Sequence, residues 1–127
     1  MEKHFYFGVG ILLVFLVLGI LVAVFMDNAC DPISLQLEEA AEKALSGDLE
    51  QGISLAAQAK NRWNGSRKKI ATVADHTPID EIQGLFAEIE VYATARDEEH
   101  FSACCAHLSQ LMEAMAEAHS LTWWNLL

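Results

Sequence analysis

The chain has 127 residues, a formal net charge of −10 at pH 7 and a hydrophobic fraction of 53%. Glu2 and Lys3 are the only charged side chains before Asp27, so 17 of the 18 acidic and 7 of the 8 basic side chains lie in residues 27–127. That segment is long enough for one modest core. Its acidic surface repels phosphate backbones, which argues against a nucleic-acid partner.

Phe5 to Met26 form an uncharged apolar run of 22 residues, 16 of which are Leu, Ile, Val or Phe. As a helix that rises about 1.5 Å per residue, the run is about 33 Å long, close to the ~30 Å of hydrocarbon in a bilayer. The alternative is a cleaved signal peptide. The apolar part of a signal peptide, however, spans only about 7 to 15 residues and is followed by a cleavage site with small residues. The run in this chain is longer, and no such cleavage site follows it. We therefore predict a retained transmembrane helix over residues 5–26.

The flanking charges predict the orientation of this helix. Lys3 and the amino terminus precede the run, whereas the first basic residue after it is Lys43. Lys and Arg are enriched on the cytoplasmic side of membrane helices. We therefore expect residues 1–4 to be cytoplasmic and residues 27–127 to form an extracytoplasmic domain at the cell membrane.

The first half of the outer domain predicts two helices. Asp31 followed by Pro32 is a helix-start signal, since the aspartate can cap the helix and proline suits its first position. Gly47 can end that helix in a left-handed conformation, and Asp48 can cap a second helix over residues 49–74. Apolar residues recur at helical spacing along both segments.

The second half predicts two more helices. Thr77 and Pro78 form the clearest start signal, and Asp97 can cap a fourth helix after a tight turn. No segment shows the alternation typical of a strand. The sequence thus predicts an all-α protein with one N-terminal transmembrane helix followed by an antiparallel bundle of three to four helices.

Antiparallel packing of these helices brings the carboxyl terminus back toward the bilayer. Trp123 and Trp124 would then lie where aromatic rings are enriched in membranes. Five basic residues would lie on the descending half of the second helix, where anionic lipid attracts them. The alternative, which is the commoner arrangement, is that the tryptophans close the core and the charges form a solvated face. The five are Lys60, Arg62, Arg67, Lys68 and Lys69.

Three residues with metal-binding side chains share one face of the fourth helix. His100, Cys104 and His107 stand at helical spacing, so a zinc or copper site is conceivable if a fourth ligand joins them. The competing interpretation is that the cysteines are small core residues and the histidines are solvated. The candidate fourth ligands are His76, His119 and Cys30.

Three cysteines cannot all pair within one chain, so at least one thiol is free or bonds to a partner. A bridge between Cys30 and Cys104 and a dimer linked through Cys30 are both open, whereas Cys104 and Cys105 point in different directions on a helix. Gly19 and Ala23 form a small-residue pair through which two anchors could approach.

No nucleophile elbow, phosphate loop, metalloprotease motif or triad spacing occurs in the chain. We therefore predict no catalytic residue, no cofactor-binding residue, no metal-binding residue and no cofactor. We do not expect the protein to be an enzyme.

A short polar start, one hydrophobic helix, a central Trp63, the segment His76-Thr-Pro-Ile-Asp-Glu-Ile and a terminal Asn125-Leu-Leu occur together in this chain. With these features it resembles an uncharacterised family of small single-pass membrane proteins from endospore-forming Gram-positive bacteria. The resemblance covers most of the chain and implies a bacterial membrane protein with an extracytoplasmic helical domain. It implies no functional residue, and the three cysteines and the very acidic surface are not typical of that family.

The features together predict a membrane-anchored helical interaction or scaffold module of unknown process. Its expected partners are the lipid bilayer, through residues 5–26, and another envelope or membrane protein; a homo-oligomer is a further alternative. Trp63 could anchor such a partner, although a tryptophan on a helix stripe is more often buried. The alternative function is a metal or redox sensor built on His100, Cys104 and His107.

Overall fold

The computed structural model describes the backbone of residues 2–73 and 76–126, and the side chains of residues 2–72 and 78–117. These residues form helices and turns, without a strand. The predicted all-α class and the helical bundle are therefore confirmed. The four helices are α1 (Glu2–Leu45), α2 (Leu49–Val73), α3 (His76–Thr94) and α4 (Glu98–Leu126).

The first helix is a single rod that contains both the apolar run and the first helix of the bundle. It has 44 residues, which corresponds to about 66 Å. The predicted helix start at Asp31 and Pro32 is wrong, because α1 continues through Pro32. Proline removes one backbone hydrogen bond, but Cys30 and Ile33 on either side of it are fully buried in the core. Tertiary packing therefore maintains the helix across a residue that locally favours a helix start.

The two connections at the far end of the bundle have the same construction. Gly47 and Arg96 adopt positive φ values of 94° and 58° and end α1 and α3. In each turn the next residue, Asp48 or Asp97, accepts a hydrogen bond of 3.2 Å at its Oδ1 from the backbone N–H three residues on. Both predicted aspartate caps are confirmed. An ion pair from Arg96 to Glu50 joins the two turns.

Two polar contacts give the register of the helices against α1. Gln36 on α1 donates a hydrogen bond to Gln58 on α2 at 3.3 Å. Ser34 on α1 lies 2.8 Å from Ser109 on α4, Oγ to Oγ. Both neighbours run antiparallel to α1, and the backbone of α4 continues 17 residues beyond Ser109. The end of α4 therefore lies beside the apolar run, which agrees with the predicted return of the carboxyl terminus.

The packing of α1 against α2 leaves no space for a side chain at Gly52. A Cβ atom at this position would lie 2.8 Å from the carbonyl oxygen of Ala40 and 3.3 Å from Cε1 of Phe101. Glycine allows this close approach because it has no Cβ. By contrast, Gly84 on α3 faces open space.

The apolar run changes its environment about halfway along. Up to Leu18 its large side chains are mostly exposed. Beyond Leu18 one face, which includes Gly19 and Met26, is buried inside the chain, while Ile20, Leu21 and Val24 on the other face stay exposed. Because Gly19 is already covered within the chain, it is not free to contact a second anchor helix. The second half of the run is thus part of the bundle as well as part of the apolar rod.

Candidate functional site

The helices leave a groove between α2 and α3. α1 packs along both α2 and α4, and α3 packs on α4, whereas α2 and α3 barely touch. The part of the groove that is farther from the apolar run is a chamber of about 320 Å³. Its floor is apolar and includes Phe101 of α4, which closes the gap from below. The apolar lining is Ile53, Ala56, Ala57, Phe86, Ile89, Ala93 and Phe101.

A second chamber of about 160 Å³ continues the groove toward the apolar run. Its own lining includes Trp63, Arg67 and Gln83, and it shares Lys60, Asn64 and Phe86 with the first chamber. From Ile53 to Arg67 the two chambers follow α2 for 14 residues, or about 21 Å. They therefore form one elongated groove, apolar at one end and polar at the other.

Trp63 gives the polar chamber its most unusual feature. The side chain is only 1% exposed, yet its Nε1 has no hydrogen-bond acceptor among the described residues. A buried donor without a partner costs about 1–3 kcal/mol. Buried polar groups in folded proteins are nearly always paired, so this N–H is an exception among the described residues that line the groove.

Two basic side chains border the groove, and only one of them forms an ion pair. Lys60 on α2 forms an ion pair with Glu90 on α3 across the groove. Arg67 is exposed and forms no ion pair with any described residue. The polar chamber therefore combines one unpaired guanidinium group with one unpaired indole N–H. Both are donors, which favours a ligand that carries a carboxylate or another anionic acceptor.

A buried polar cluster lies on the opposite side of the bundle, between α1 and α4. Ser34 and Ser109 each donate to the other's backbone carbonyl, at 3.2 and 3.0 Å. Each hydroxyl also lies within reach of a glutamate on the partner helix, Glu113 at 3.1 Å and Glu38 at 3.4 Å. Each hydroxyl has one proton and donates to one of these acceptors at a time, and the exposed carboxylates of Glu38 and Glu113 are open to water. The cluster fixes the register of α1 against α4. A serine followed four residues later by glutamate on both helices is the sequence signal for this cluster.

The structure does not bring the candidate metal ligands of the alternative interpretation together. His100 pairs through Nδ1 with Asp97 at 2.7 Å and stacks on Tyr92 with a ring separation of 5.2 Å. Cys104 instead faces α3, and His107 is exposed. Among the described residues no group of three or more His, Cys, Asp and Glu side chains could hold a metal ion. The side chains of His76, His119, Trp123 and Trp124 lie outside the described residues.

The three cysteines are free thiols in the core. Cys30 and Cys105 are fully buried, and Cys104 is 7% exposed. Burial is the main cause that raises the pKa of Cys30 and Cys105 to about 12. Burial and then the negative charge of Glu88 raise the pKa of Cys104 to about 11. Thiolates are therefore strongly disfavoured at neutral pH, which makes these thiols poor nucleophiles.

The bridge between Cys30 and Cys104 is not formed, and the burial of Cys30 argues against a dimer linked through its thiol. Cys30 is fully buried, so its sulfur is not accessible to a second copy of the folded chain. The register of α1 against α4 places Cys30 and Cys104 about nine residues apart along the helix axis, or about 14 Å. The Cα atoms of a disulfide lie about 4.4–6.8 Å apart, so these two thiols are too distant to bridge.

The molecule is thus a helical bundle carried on a long apolar helix, with one groove along the α2 and α3 pair. α1 is the one described helix that is long and apolar enough to cross a membrane. The chain belongs to the family described as "Domain of unknown function (DUF4363)", which matches residues 20–126. No curated protein and no solved structure matches the chain. The family match begins beside Gly19, where α1 first becomes buried, and it includes the whole groove.

Proposed function

We propose that this protein is a membrane-anchored interaction module whose α2 and α3 groove binds a segment of another membrane or envelope protein. Residues 5–26 tether it to the bilayer, with the amino terminus in the cytoplasm and the bundle outside. The bacterial origin implied by the sequence resemblance makes the partner a protein of the cell envelope. The proposed role is binding, and no catalytic step is assigned to any residue.

The chemistry of the groove supports a partner segment that carries a carboxylate next to apolar side chains. The unpaired N–H of Trp63 is the observation on which this proposal chiefly depends, because burial without an acceptor is costly. Arg67 adds a positive charge at the same end, and a charge-assisted hydrogen bond is about twice as strong as a neutral one. The apolar chamber beyond them suits the neighbouring side chains of the segment.

A photo-crosslinking experiment in native membranes tests this proposal. A photoreactive amino acid replaces Asn61, which lines the groove, and in a matched control it replaces Glu42, which is exposed on α1. We expect one protein to be captured at Asn61 and not at Glu42. The capture should be lost with Arg67→Glu, because this change places a second negative charge beside the bound carboxylate.

A synthetic peptide that spans the captured segment then completes the test with the full chain in detergent. Replacing its acidic residue by the matching amide should weaken binding about tenfold or more, which corresponds to a charged hydrogen bond. Equal capture at Asn61 and Glu42, or a peptide whose binding does not depend on its carboxylate, would refute the proposal. Capture of a second copy of this chain would identify the groove as a self-association site instead.

A further inference from the structure

The register of α2 against α1 places two lysines beside the end of the apolar run. Gln58 lies opposite Gln36. Ten residues further along α2 and ten residues back along α1, Lys68 lies opposite Met26. Lys69 lies opposite Phe25, the residue before Met26. Both lysines therefore stand at the level where the apolar run ends, as antiparallel packing predicts for the descending half of α2.

These lysines are open to an external partner. Lys68 and Lys69 are exposed, and neither forms an ion pair with a described residue. Neither lines the groove, which uses Arg67 on another face of α2. Their positive charges are thus available for a ligand other than the one proposed for the groove.

Exposed acidic residues lie all along the bundle, with Asp27 and Asp31 beside the end of the apolar run and Glu42 and Asp48 far from it. Lys68 and Lys69 are therefore a local pair of positive charges on α2, and not part of a wholly basic end. An anionic membrane surface attracts such a pair of lysines.

We propose that Lys68 and Lys69 bind the phosphate groups of anionic lipids at the membrane surface. The proposal rests on α1 spanning the bilayer, but it holds for either orientation of the chain and is independent of any partner in the groove. Long lysine side chains can lie along apolar surface and place their ammonium groups among lipid headgroups. The contact would hold the bundle upright against the bilayer and leave the groove accessible from the side.

The native lysines themselves allow a test that needs no substitution. The full chain is reconstituted in vesicles of phosphatidylcholine, with or without phosphatidylglycerol, and treated with a water-soluble amine-acylating reagent. Mass spectrometry gives the acylation rates of Lys68 and Lys69 relative to Lys43. Lys43 lies about 25 Å further along α1 from Met26 and on the same side of the membrane, so it serves as an internal control.

We expect phosphatidylglycerol to slow the acylation of Lys68 and Lys69, relative to Lys43, by about fivefold at each site at ~0.05 M salt. The effect should largely disappear at ~0.5 M salt, because the Debye length becomes much shorter than 10 Å. Relative rates that are equal in the two kinds of vesicle would overturn the proposal.

Discussion

Replacing Trp63 with phenylalanine tests whether the indole N–H is truly without a partner in the free protein. The substitution keeps an aromatic ring in the core and removes the N–H, which has no acceptor among the described residues. If the donor is buried and unpaired, its removal relieves a cost of about 1–3 kcal/mol. If an acceptor is already present, the same substitution instead loses a hydrogen bond and leaves that acceptor unpaired.

The opposing term is the smaller size of phenylalanine. A large aromatic side chain buries about 150–250 Å² of surface. Tryptophan and phenylalanine differ by roughly 50 Å² of buried surface, which corresponds to about 1 kcal/mol at 25 cal/mol per Å². A small cavity adds to this loss. We therefore expect Trp63→Phe to leave the free energy of unfolding within about 1 kcal/mol of the natural chain. Trp63→Ala, which removes the whole ring system, should cost about 3–5 kcal/mol.

The assay is urea unfolding of the full chain in detergent, followed by far-UV circular dichroism, because the substitution itself changes the tryptophan fluorescence. The difference between the two variants is informative, since both share the same apolar anchor. A loss of 3 kcal/mol or more for Trp63→Phe would contradict the absence of an internal acceptor. It would also remove the main support for the binding groove. In the peptide assay, Trp63→Phe should weaken binding about fivefold or more even though stability is preserved.

Three further predictions concern the core and its turns. Gly52→Ala should lower the free energy of unfolding by about 1–3 kcal/mol, because its Cβ would meet the carbonyl oxygen of Ala40. Gly84→Ala, whose Cβ faces open space, should instead raise the free energy of unfolding by about 0.5–1 kcal/mol. Urea titration checks both variants. Arg96→Gly should raise it by up to about 1 kcal/mol, since glycine adopts a positive φ freely and the lost surface ion pair is worth little. Stability should fall as the pH rises from about 9 toward 12, because the raised pKa of Cys105, about 12, keeps the folded thiol protonated while the unfolded one ionises. Cys105→Ala should make the urea midpoint fall less steeply with pH, and the remaining fall comes from Cys30 and Cys104, whose pKa values are also raised.

Most of the helical architecture could be predicted from local signals in the sequence. The aspartate caps after both distal turns and the stripe that includes Trp63 were correct, because capping and helical periodicity depend on residues only three or four positions apart. The start at Pro32 was wrong for the opposite reason. Its local signal is overridden by burial of Cys30 and Ile33 against other helices, which no short window contains.

The groove could not be predicted, because it depends on which pair of helices remains apart. The residues that line it look like ordinary members of two amphipathic stripes, and Trp63 could equally have found an acceptor on a neighbouring helix. The candidate metal ligands show the same limit. Their spacing put them on one face of α4, but the pairing of His100 with Asp97 and the direction of Cys104 toward α3 separate them.

The sequence by itself determined that the chain is all-helical, acidic and provided with an apolar segment long enough to cross a bilayer, since these properties follow from composition and local periodicity. Only the tertiary structure decided that the apolar segment and the bundle form one continuous helix, and that α2 and α3 leave a groove with an unpaired indole N–H. The physical reason is that register and hydrogen-bond pairing between helices arise from contacts between residues far apart in the chain.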